Sequence, residues 1–438
     1  MSPRRNLNLA FAGLGTVGQG VWRHLSQRSA ELQARMGAGF TLYKAAVRDP
    51  AKKRDPSIPR ERLTTNAMAL AEDPEVDVLC ELMGGTGEAL AVTRTALERG
   101  KTVVTANKAL LCHHGEELFH LARDKGAHIY FEASVAGGIP IIKALREGLV
   151  VNRFPLIYGI LNGTCNYILT RMEREGQPFE AIVGDARRLG YVEADEALDL
   201  DGLDAAHKTA IVAYLAHGKW IPLEEMPVEG IRGVRLEDIR WAQSLGYKIK
   251  LLAVILRDFE GGSVFSSVQP MLVPRDMMLA NVDGVFNAIS VTGDVVGESI
   301  YIGRGAGQDA TASAVISDIV DAGTALANEI RPEEPSQQVD LRTSPLDEVI
   351  RSFYMRMSVR DQPGVLAEVA TVLTRQNISI ESVLQRPNGD RGAAHLVLTT
   401  HMTSEAAMAR AVAELEGLES LLDRPFLLRI ADFAQHLG

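Results

Sequence analysis

Residues 7–18 read Leu-Asn-Leu-Ala-Phe-Ala-Gly-Leu-Gly-Thr-Val-Gly, and this stretch decides the fold. Its first half is an apolar run of strand length. Its second half is a glycine turn, Gly13-x-Gly15-x-x-Gly18, and the residues that follow to about Arg35 suit a helix. Glycines at this spacing also serve ordinary tight turns, so the pattern gains its meaning from context. Placed after a strand, before a helix and near the start of the chain, it reads as a dinucleotide-binding turn. Gly13 and Gly15 let the backbone close on a pyrophosphate, Gly18 lets the helix lie on the strand, and Thr16 and Val17 open a helix whose amides and positive dipole end face the phosphate.

The alternation continues outward from this turn. Strand signals at 41–47, 76–81, 101–105 and 128–132 are separated by helical ones at 88–99 and 115–124. This predicts a parallel sheet covered by helices on both faces, a Rossmann-type α/β domain over 1–132. From 133 the rhythm breaks into short glycine-punctuated pieces, with strands expected at 156–161 and 253–256 and helices at 166–175, 179–189 and 204–216. The span 133–310 reads as a second, α+β domain. Gly303-Arg304-Gly305-Ala306-Gly307 precedes an Ala- and Val-rich helix, and 311–330 is expected to return to the nucleotide domain. Arg331-Pro332-Glu333-Glu334-Pro335-Ser336 interrupts the periodicity, so 331–349 reads as a linker. The last span, 350–438, offers strands at 353–359, 378–385, 393–399 and 426–430 and helices near 365–373 and 404–415, the βαββαβ order of a ferredoxin-like domain.

Composition narrows the function. Hydrophobic residues at 46% and charged residues at 23% exclude a disordered or collagen-like chain, and a net charge of −10 disfavours a general nucleic-acid or anionic-membrane surface. The 438 residues suffice for about two to four domains. Cys80, Cys112 and Cys165 are too few and too scattered for a disulfide framework or a CxxC zinc pair, which fits a reducing cytoplasm. No segment reads as a signal peptide or a membrane span. His113, His114 and His207 are not expected to bind metal, since adjacent histidines on a regular helix cannot both face one ion.

Cofactor choice is read at the end of the second strand, where an acid would accept bonds from both ribose hydroxyls of NAD. Here the sequence is Val47-Arg48-Asp49. Arg48 can pair with a 2′-phosphate, with Lys52, Lys53 and Arg54 nearby, so NADP is favoured while Asp49 keeps NAD open. The densest polar cluster, Gly-Tyr-Val-Glu-Ala-Asp-Glu-Ala-Leu-Asp-Leu-Asp-Gly-Leu-Asp-Ala-Ala-His-Lys, spans 190–208 and holds six acids from Glu193 to Asp204. On a helix starting near Asp204, Asp204 and Lys208 share a face, and a surface ion pair is the commoner meaning of that spacing. Two features favour chemistry instead. The acids are bunched beside Gly and Tyr, and a nicotinamide enzyme oxidising an alcohol needs a group to take the hydroxyl proton as hydride leaves. Lys208 could take it, while Glu193, Asp199 and Asp204 could hold a substrate ammonium.

With Thr105-Ala106-Asn107-Lys108, Glu132-Ala133-Ser134-Val135-Ala136-Gly137-Gly138-Ile139-Pro140 and Leu161-Asn162-Gly163-Thr164-Cys165-Asn166-Tyr167-Ile168 added, the chain resembles bacterial homoserine dehydrogenase over nearly its whole length. The resemblance implies interconversion of L-homoserine and L-aspartate 4-semialdehyde with NADP or NAD, in the biosynthesis of threonine, methionine and isoleucine. It assigns Lys208 as general acid/base and Lys108 as a second catalytic lysine touching cofactor and substrate. Glu193, Asp199, Asp204, Gly163 and Thr164 fall to the substrate, and Gly84, Thr105 and Gly307 to the cofactor. It also implies a sodium or potassium site around Glu132, Val135, Gly137 and Ile139, built largely of backbone carbonyls, where the residues alone suggest only a hinge.

The segment Val359-Arg360-Asp361-Gln362-Pro363-Gly364-Val365-Leu366 resembles the opening of an ACT domain, a regulatory module. Asp361 and Gly364 would expose amides to a small ligand's carboxylate; by resemblance the effector is L-threonine and the assembly a homodimer or homotetramer. Two alternatives stand beside this reading. One is aspartate-semialdehyde dehydrogenase with Cys165 as nucleophile, although a small buried hydrophobe is the commoner role of such a cysteine. The other is an amino-acid-sensing regulatory protein that merely binds nucleotide.

Overall fold

The computed structural model describes residues 6–189, 196–330, 341–387 and 392–433 and divides into two compact units. The first unit takes Met1–Arg153, Ala210–Pro222 and Tyr301–Val339. At its centre β1 (Asn6–Ala12) buries Leu7, Leu9 and Phe11 on one face and Ala10 and Ala12 on the other, as a strand covered on both sides must. It pairs in parallel with β2 (Gly39–Ala46) and with β4 (Val78–Glu81), while β3 (Leu63–Thr64) lies beyond β2 and β5 (Thr102–Thr105) and β6 (Ile129–Tyr130) lie beyond β4. The order β3-β2-β1-β4-β5-β6 reverses direction between β1 and β4, which opens a crevice at the carboxyl ends of those strands. The expected Rossmann-type sheet is therefore present.

Helix Thr16–Gln27 lies on this sheet through Val21, Trp22 and Leu25, with the Trp22 ring 5.4 Å from that of Phe11. Burial of each such large apolar side chain contributes about 1.5–3 kcal/mol. Helicity does not run unbroken to Arg35: Arg28 leaves the helical region, and a second helix covers Ser29–Met36. The helix expected at 115–124 begins earlier, at Lys108, where the Asn107 side chain accepts from the Leu110 amide at 3.1 Å. Helix Gln308–Ala327 packs in the same core, with Ala312 and Gln308 against Gly20 and Gly323 against Met36. By length and hydropathy it is the one described helix apolar enough to cross a membrane. Its burial of Ala312, Val315, Ile319 and the acidic Asp318 is that of a core helix.

The second unit takes Phe154–Thr209, Leu223–Ile300 and Asp340–Gly438. Its antiparallel core comprises β7 (Leu156–Ile160), β8 (Tyr247–Asp258), β9 (Ser263–Pro274) and β10 (Phe286–Gly293), with β11 (Gly297–Arg304) on the outer side of β10. The sequence shows β7 and the middle of β8, and misses β9, β10 and β11. The C-terminal module has the expected βαββαβ order: strand Phe353–Arg360, helix Val365–Arg375, strands Ile380–Pro387 and Ala393–Thr400, helix Glu405–Leu415 and strand Phe426–Ile430. That last strand pairs in parallel with β9, Arg429 opposite Met271 and Ile430 opposite Leu272. The module and the preceding domain therefore share one continuous sheet, which no local sequence signal announces.

Candidate active site

In the first unit, the crevice at β1 and β4 holds a cavity of about 780 Å³ lined by Gly13, Leu14, Gly15, Thr16, Arg48, Asp49, Lys52, Arg54, Gly84 and Gly85, among others. Gly13 sits at φ +107°, and a Cβ there would stand 2.6 Å from the Leu82 carbonyl oxygen. Its role is thus to let the turn close on the end of β4. Gly15 has open space where a Cβ would be and caps helix Thr16–Gln27 with no side-chain bond, so the first amides face the cavity. Gly18 touches the Gly13 carbonyl and could carry no side chain. Asp49 is turned onto its own loop, accepting from the Ala51 amide at 2.8 Å, whereas the buried Arg54 Nε has no hydrogen-bond partner among the described residues. Cradle and cations together suit a dinucleotide phosphate.

Thr105 lies outside the cavity lining. Its hydroxyl donates at 2.8 Å to the buried Glu81 carboxylate, whose other oxygen accepts from the Met83 amide. Burial pushes the Glu81 carboxyl up, against the bonds it receives. Glu81 therefore fixes the ends of β4 and β5 beside the Gly84-Gly85 turn, where both glycines take positive φ. Lys108 begins the helix that Asn107 caps, and Asn107 Nδ2 holds the Gly85 carbonyl at 2.7 Å. Gly307, at φ +119°, starts helix Gln308–Ala327.

The segment 132–143 forms a tight knot in this unit. Ala136 and Gly137 both adopt left-handed backbone, at φ 51° and 50°, and a Cβ on Gly137 would stand 2.5 Å from the Gly305 carbonyl oxygen. The Glu132 carboxylate accepts from the amides of Ile142 and Lys143, each at 2.9 Å, and the Glu132 amide donates to Asp318 at 2.8 Å. Burial pushes both carboxyls up, Asp318 well above the usual range. Among the described residues, the carbonyls of Val135 and Gly137 accept no hydrogen bond, while that of Ile139 accepts from the Ile141 amide.

In the second unit, Asn162 organises the polar cluster. Its Oδ1 accepts from the Cys165 amide at 2.7 Å and so caps helix Gly163–Glu175, while its Nδ2 donates to Asp199 at 2.8 Å and to Asp204 at 2.9 Å. Lys208 is 8% exposed and donates to Asp204 at 2.7 Å and to the Leu161 carbonyl at 2.8 Å. The i,i+4 pair exists, but it is largely withdrawn from solvent rather than a surface pair. Asn287 Nδ2 reaches the same Leu161 carbonyl at 3.0 Å. Gly163 and Thr164 begin the capped helix, placing amides and its positive end beside this cluster. Glu193 lies outside the described residues. Asn162 and Asn287 carry no role in the sequence reading, because the partners of their Nδ2 groups are 37 to 126 residues away.

Cys165 is fully buried and its thiol lies 3.1 Å from the Asp199 carbonyl. Burial, reinforced by Asp199 and Asp204, pushes it well above the ordinary thiol range. Such a group is a thiol rather than a nucleophilic thiolate. In the C-terminal module, Gly364 at φ +98° starts helix Val365–Arg375 without a side-chain cap, and the exposed Asp361 precedes it.

Three stretches of the chain match known families. Residues 13–132 match the family described as "Homoserine dehydrogenase, NAD binding domain", 140–320 match "Homoserine dehydrogenase", and 353–420 match "ACT domain". The chain is 41% identical to a homoserine dehydrogenase of Pseudomonas aeruginosa over 95% of its own length and 96% of that protein. A crystal structure of a homoserine dehydrogenase from Thiobacillus denitrificans superposes with a TM-score of 0.93 at 38% identity, covering 100% of both chains. A hyperthermophilic archaeal homoserine dehydrogenase in complex with NADPH gives a TM-score of 0.61 at 28% identity over 72% of this chain and 97% of that one.

Proposed function

As a member of the homoserine dehydrogenase family the chain is an oxidoreductase with a nicotinamide-dinucleotide-binding domain, and we propose that it interconverts L-homoserine and L-aspartate 4-semialdehyde through the cluster around Lys208, with NADP preferred to NAD. The observation that carries this reading is the hydrogen-bonded Asn162–Asp199–Asp204–Lys208 arrangement, with Asn162 and Lys208 buried and the two acids partly exposed. Asp199 and Asp204, with Glu193, bind the substrate ammonium, and the amides at Gly163 and Thr164 receive its carboxylate. The nicotinamide, when bound, supplies the hydride acceptor for oxidation and the hydride donor for reduction. Lys208 takes the hydroxyl proton in the first direction and returns it to the developing alkoxide in the second. Asp204 and the Leu161 carbonyl hold Lys208 Nζ in one position, as the neutral amine before it takes the proton and as the ammonium after, so little reorganisation accompanies the transfer. Lys108 aligns the hydroxyl and contacts the cofactor.

Gly13, Gly15, Thr16, Val17 and Gly18 cradle the pyrophosphate, with Gly84, Thr105 and Gly307 completing the cofactor contacts. Arg48, with Lys52 and Arg54, receives a 2′-phosphate; the occupation of Asp49 by its own loop and the unpartnered Arg54 Nε support NADP. The carbonyls of Glu132, Val135, Gly137 and Ile139 hold a sodium or potassium ion. The left-handed turn at Ala136 and Gly137 and the two carbonyls there that accept no bond among the described residues suit a hard cation with oxygen ligands. L-Threonine binds the C-terminal module near Asp361 and Gly364, in a homodimer or homotetramer, and gives feedback control of a pathway to threonine, methionine and isoleucine. The free cysteines suit a cytoplasmic location.

A spectrophotometric assay of L-homoserine with NADP and with NAD, repeated with threonine, tests the assignment. Homoserine-dependent reduction, faster with NADP and slowed by threonine, is expected. Reduction of neither cofactor would overturn it.

A further inference from the structure

Within the second unit, five side chains close a ring between the C-terminal module and the preceding domain. Arg429 Nη1 donates to both oxygens of Glu229 at 2.6 Å, and its Nε and Nη2 donate to Glu405 at 2.9 and 3.1 Å. Gln269 of β9 donates to Glu229 at 2.9 Å and accepts from Arg351 at 3.2 Å, and Arg351 lies 3.6 Å from Glu405. Two arginines and two glutamates balance. Burial lowers Arg351 to about 10, whereas in Arg429 the penalty of burial is outweighed by its bonds to Glu405 and Glu229. Removing one of the four charged members leaves an opposite charge without its counterpart.

Glu229 leads from this ring to the substrate-side acids. Its amide donates to Val268 at 2.8 Å, and two residues on the Ile231 amide donates to the Leu200 carbonyl at 2.9 Å. Between them, Gly230 lies so close to Leu200 that a Cβ would overlap its carbonyl. Opposite, Gly202 takes φ +86°, and a Cβ there would stand 3.4 Å from the Glu229 carbonyl oxygen. Leu200 to Gly202 is the turn joining Asp199 to Asp204: the Gly202 amide donates to Asp199 at 3.1 Å and the Ala206 amide to Gly202 at 3.0 Å. From the Arg429 guanidinium to the two carboxylates the contacts are continuous.

We propose that Glu229, clamped by Arg429, is a positioning residue that fixes Asp199 and Asp204 for the substrate ammonium, an inference that rests on the substrate role given to those acids above. It touches no reacting atom and acts through the Leu200–Gly202 turn. Displacement of strand Phe426–Ile430 is thereby transmitted to substrate affinity through packed backbone, with the cofactor turn untouched.

Steady-state kinetics of the full-length chain oxidising L-homoserine with NADP test the proposal, using Glu229→Gln, Arg429→Lys and the double variant. Glu229 is only partly buried and Arg429→Lys keeps its charge, so both variants are compatible with folding. Glu229→Gln raises the homoserine KM about five- to twentyfold with the NADP KM within about twofold, and the double variant is no worse than the larger single one, as a coupled pair requires. A control is Arg356→Lys at the second junction, where Arg356 bonds Asp238 at 2.6 Å and makes no bond to the Leu200–Gly202 turn. It lowers the melting temperature and leaves the homoserine KM within about twofold. A folded Glu229→Gln with unchanged homoserine KM, or fully additive effects in the double variant, overturns the proposal while leaving the activity standing. Absence of homoserine turnover in the unaltered chain overturns the functional reading and the proposal together.

Discussion

The glycine turn of the first unit and the polar cluster of the second are built on opposite principles. At Gly13–Gly18 the working groups are backbone amides, and side chains matter by their absence: Gly13 closes on Leu82, Gly18 on Gly13, and Gly15 leaves space. Around Lys208 the working groups are side chains gathered from 162, 199, 204 and 208, held by one asparagine that also caps a helix. A backbone site is as rigid as its fold, so substitution there damages geometry and binding together. A side-chain site can lose its chemistry while the fold stands. The two units should accordingly fail in different ways.

The largest expected effect tests the second half of that contrast. Lys208→Ala removes the proton carrier and leaves the cofactor turn intact, so kcat should fall about 10²–10⁴-fold with cofactor affinity within a few fold. Near-normal turnover would remove Lys208 from the mechanism, and parallel loss of cofactor binding would erase the distinction between the sites. Gly13→Ala tests the first half. A side chain at φ +107° with its Cβ 2.6 Å from a carbonyl oxygen costs about 2–5 kcal/mol in strain and overlap. Thermal unfolding should start lower, and the stabilisation NADP confers should shrink with it. A variant that melts normally and binds NADP normally would show that the turn is not held by close approach.

Arg48→Ala sharpens the comparison inside the first unit, since Arg48 is a side chain placed at the rim of a backbone site. Loss of one charge-assisted phosphate contact should raise the NADP KM about tenfold and leave the NAD KM unchanged. Equal effects on both cofactors would assign Arg48 to the pyrophosphate or to the fold instead.

The same contrast explains what could be read from the sequence. Strand, turn and helix at 7–27 are local, and each residue's reason lies within a few positions of it. The module at 353–430 was equally legible, because apolar period and turn residues recur at short range. β9 was not: Ser-Val-Phe-Ser-Ser-Val-Gln-Pro-Met-Leu-Val-Pro is buried almost throughout, so Ser266, Ser267 and Gln269 destroy both the alternation and the apolar run that mark a strand. Gln269 is buried because it serves Glu229 and Arg351, partners that sequence distance conceals. Glu132 is a similar case. Its carboxylate caps the amides of Ile142 and Lys143, ten and eleven residues on, which leaves no pattern at helical spacing. The pairing of Arg429 with Met271 turned an apparently detachable module into part of one sheet, a relation fixed only by folding.

The smallest expected effect belongs to Cys165, which sits inside the cluster without joining its chemistry. Its thiol bonds the Asp199 carbonyl and, through burial and neighbouring carboxylates, resists ionisation. Stability linked to this group is fully present below the ordinary thiol pKa of the unfolded chain and is lost as pH rises from there through the raised pKa of the folded one. Around pH 7–8 it should therefore be inert to iodoacetamide in the folded protein. Cys165→Ser keeps a donor for the carbonyl and nearly the same volume, so activity should remain within about twofold. A loss beyond about a hundredfold, accompanied by alkylation of the native chain at neutral pH, would make the thiol a nucleophile and recast the cluster as an acyl-transfer site.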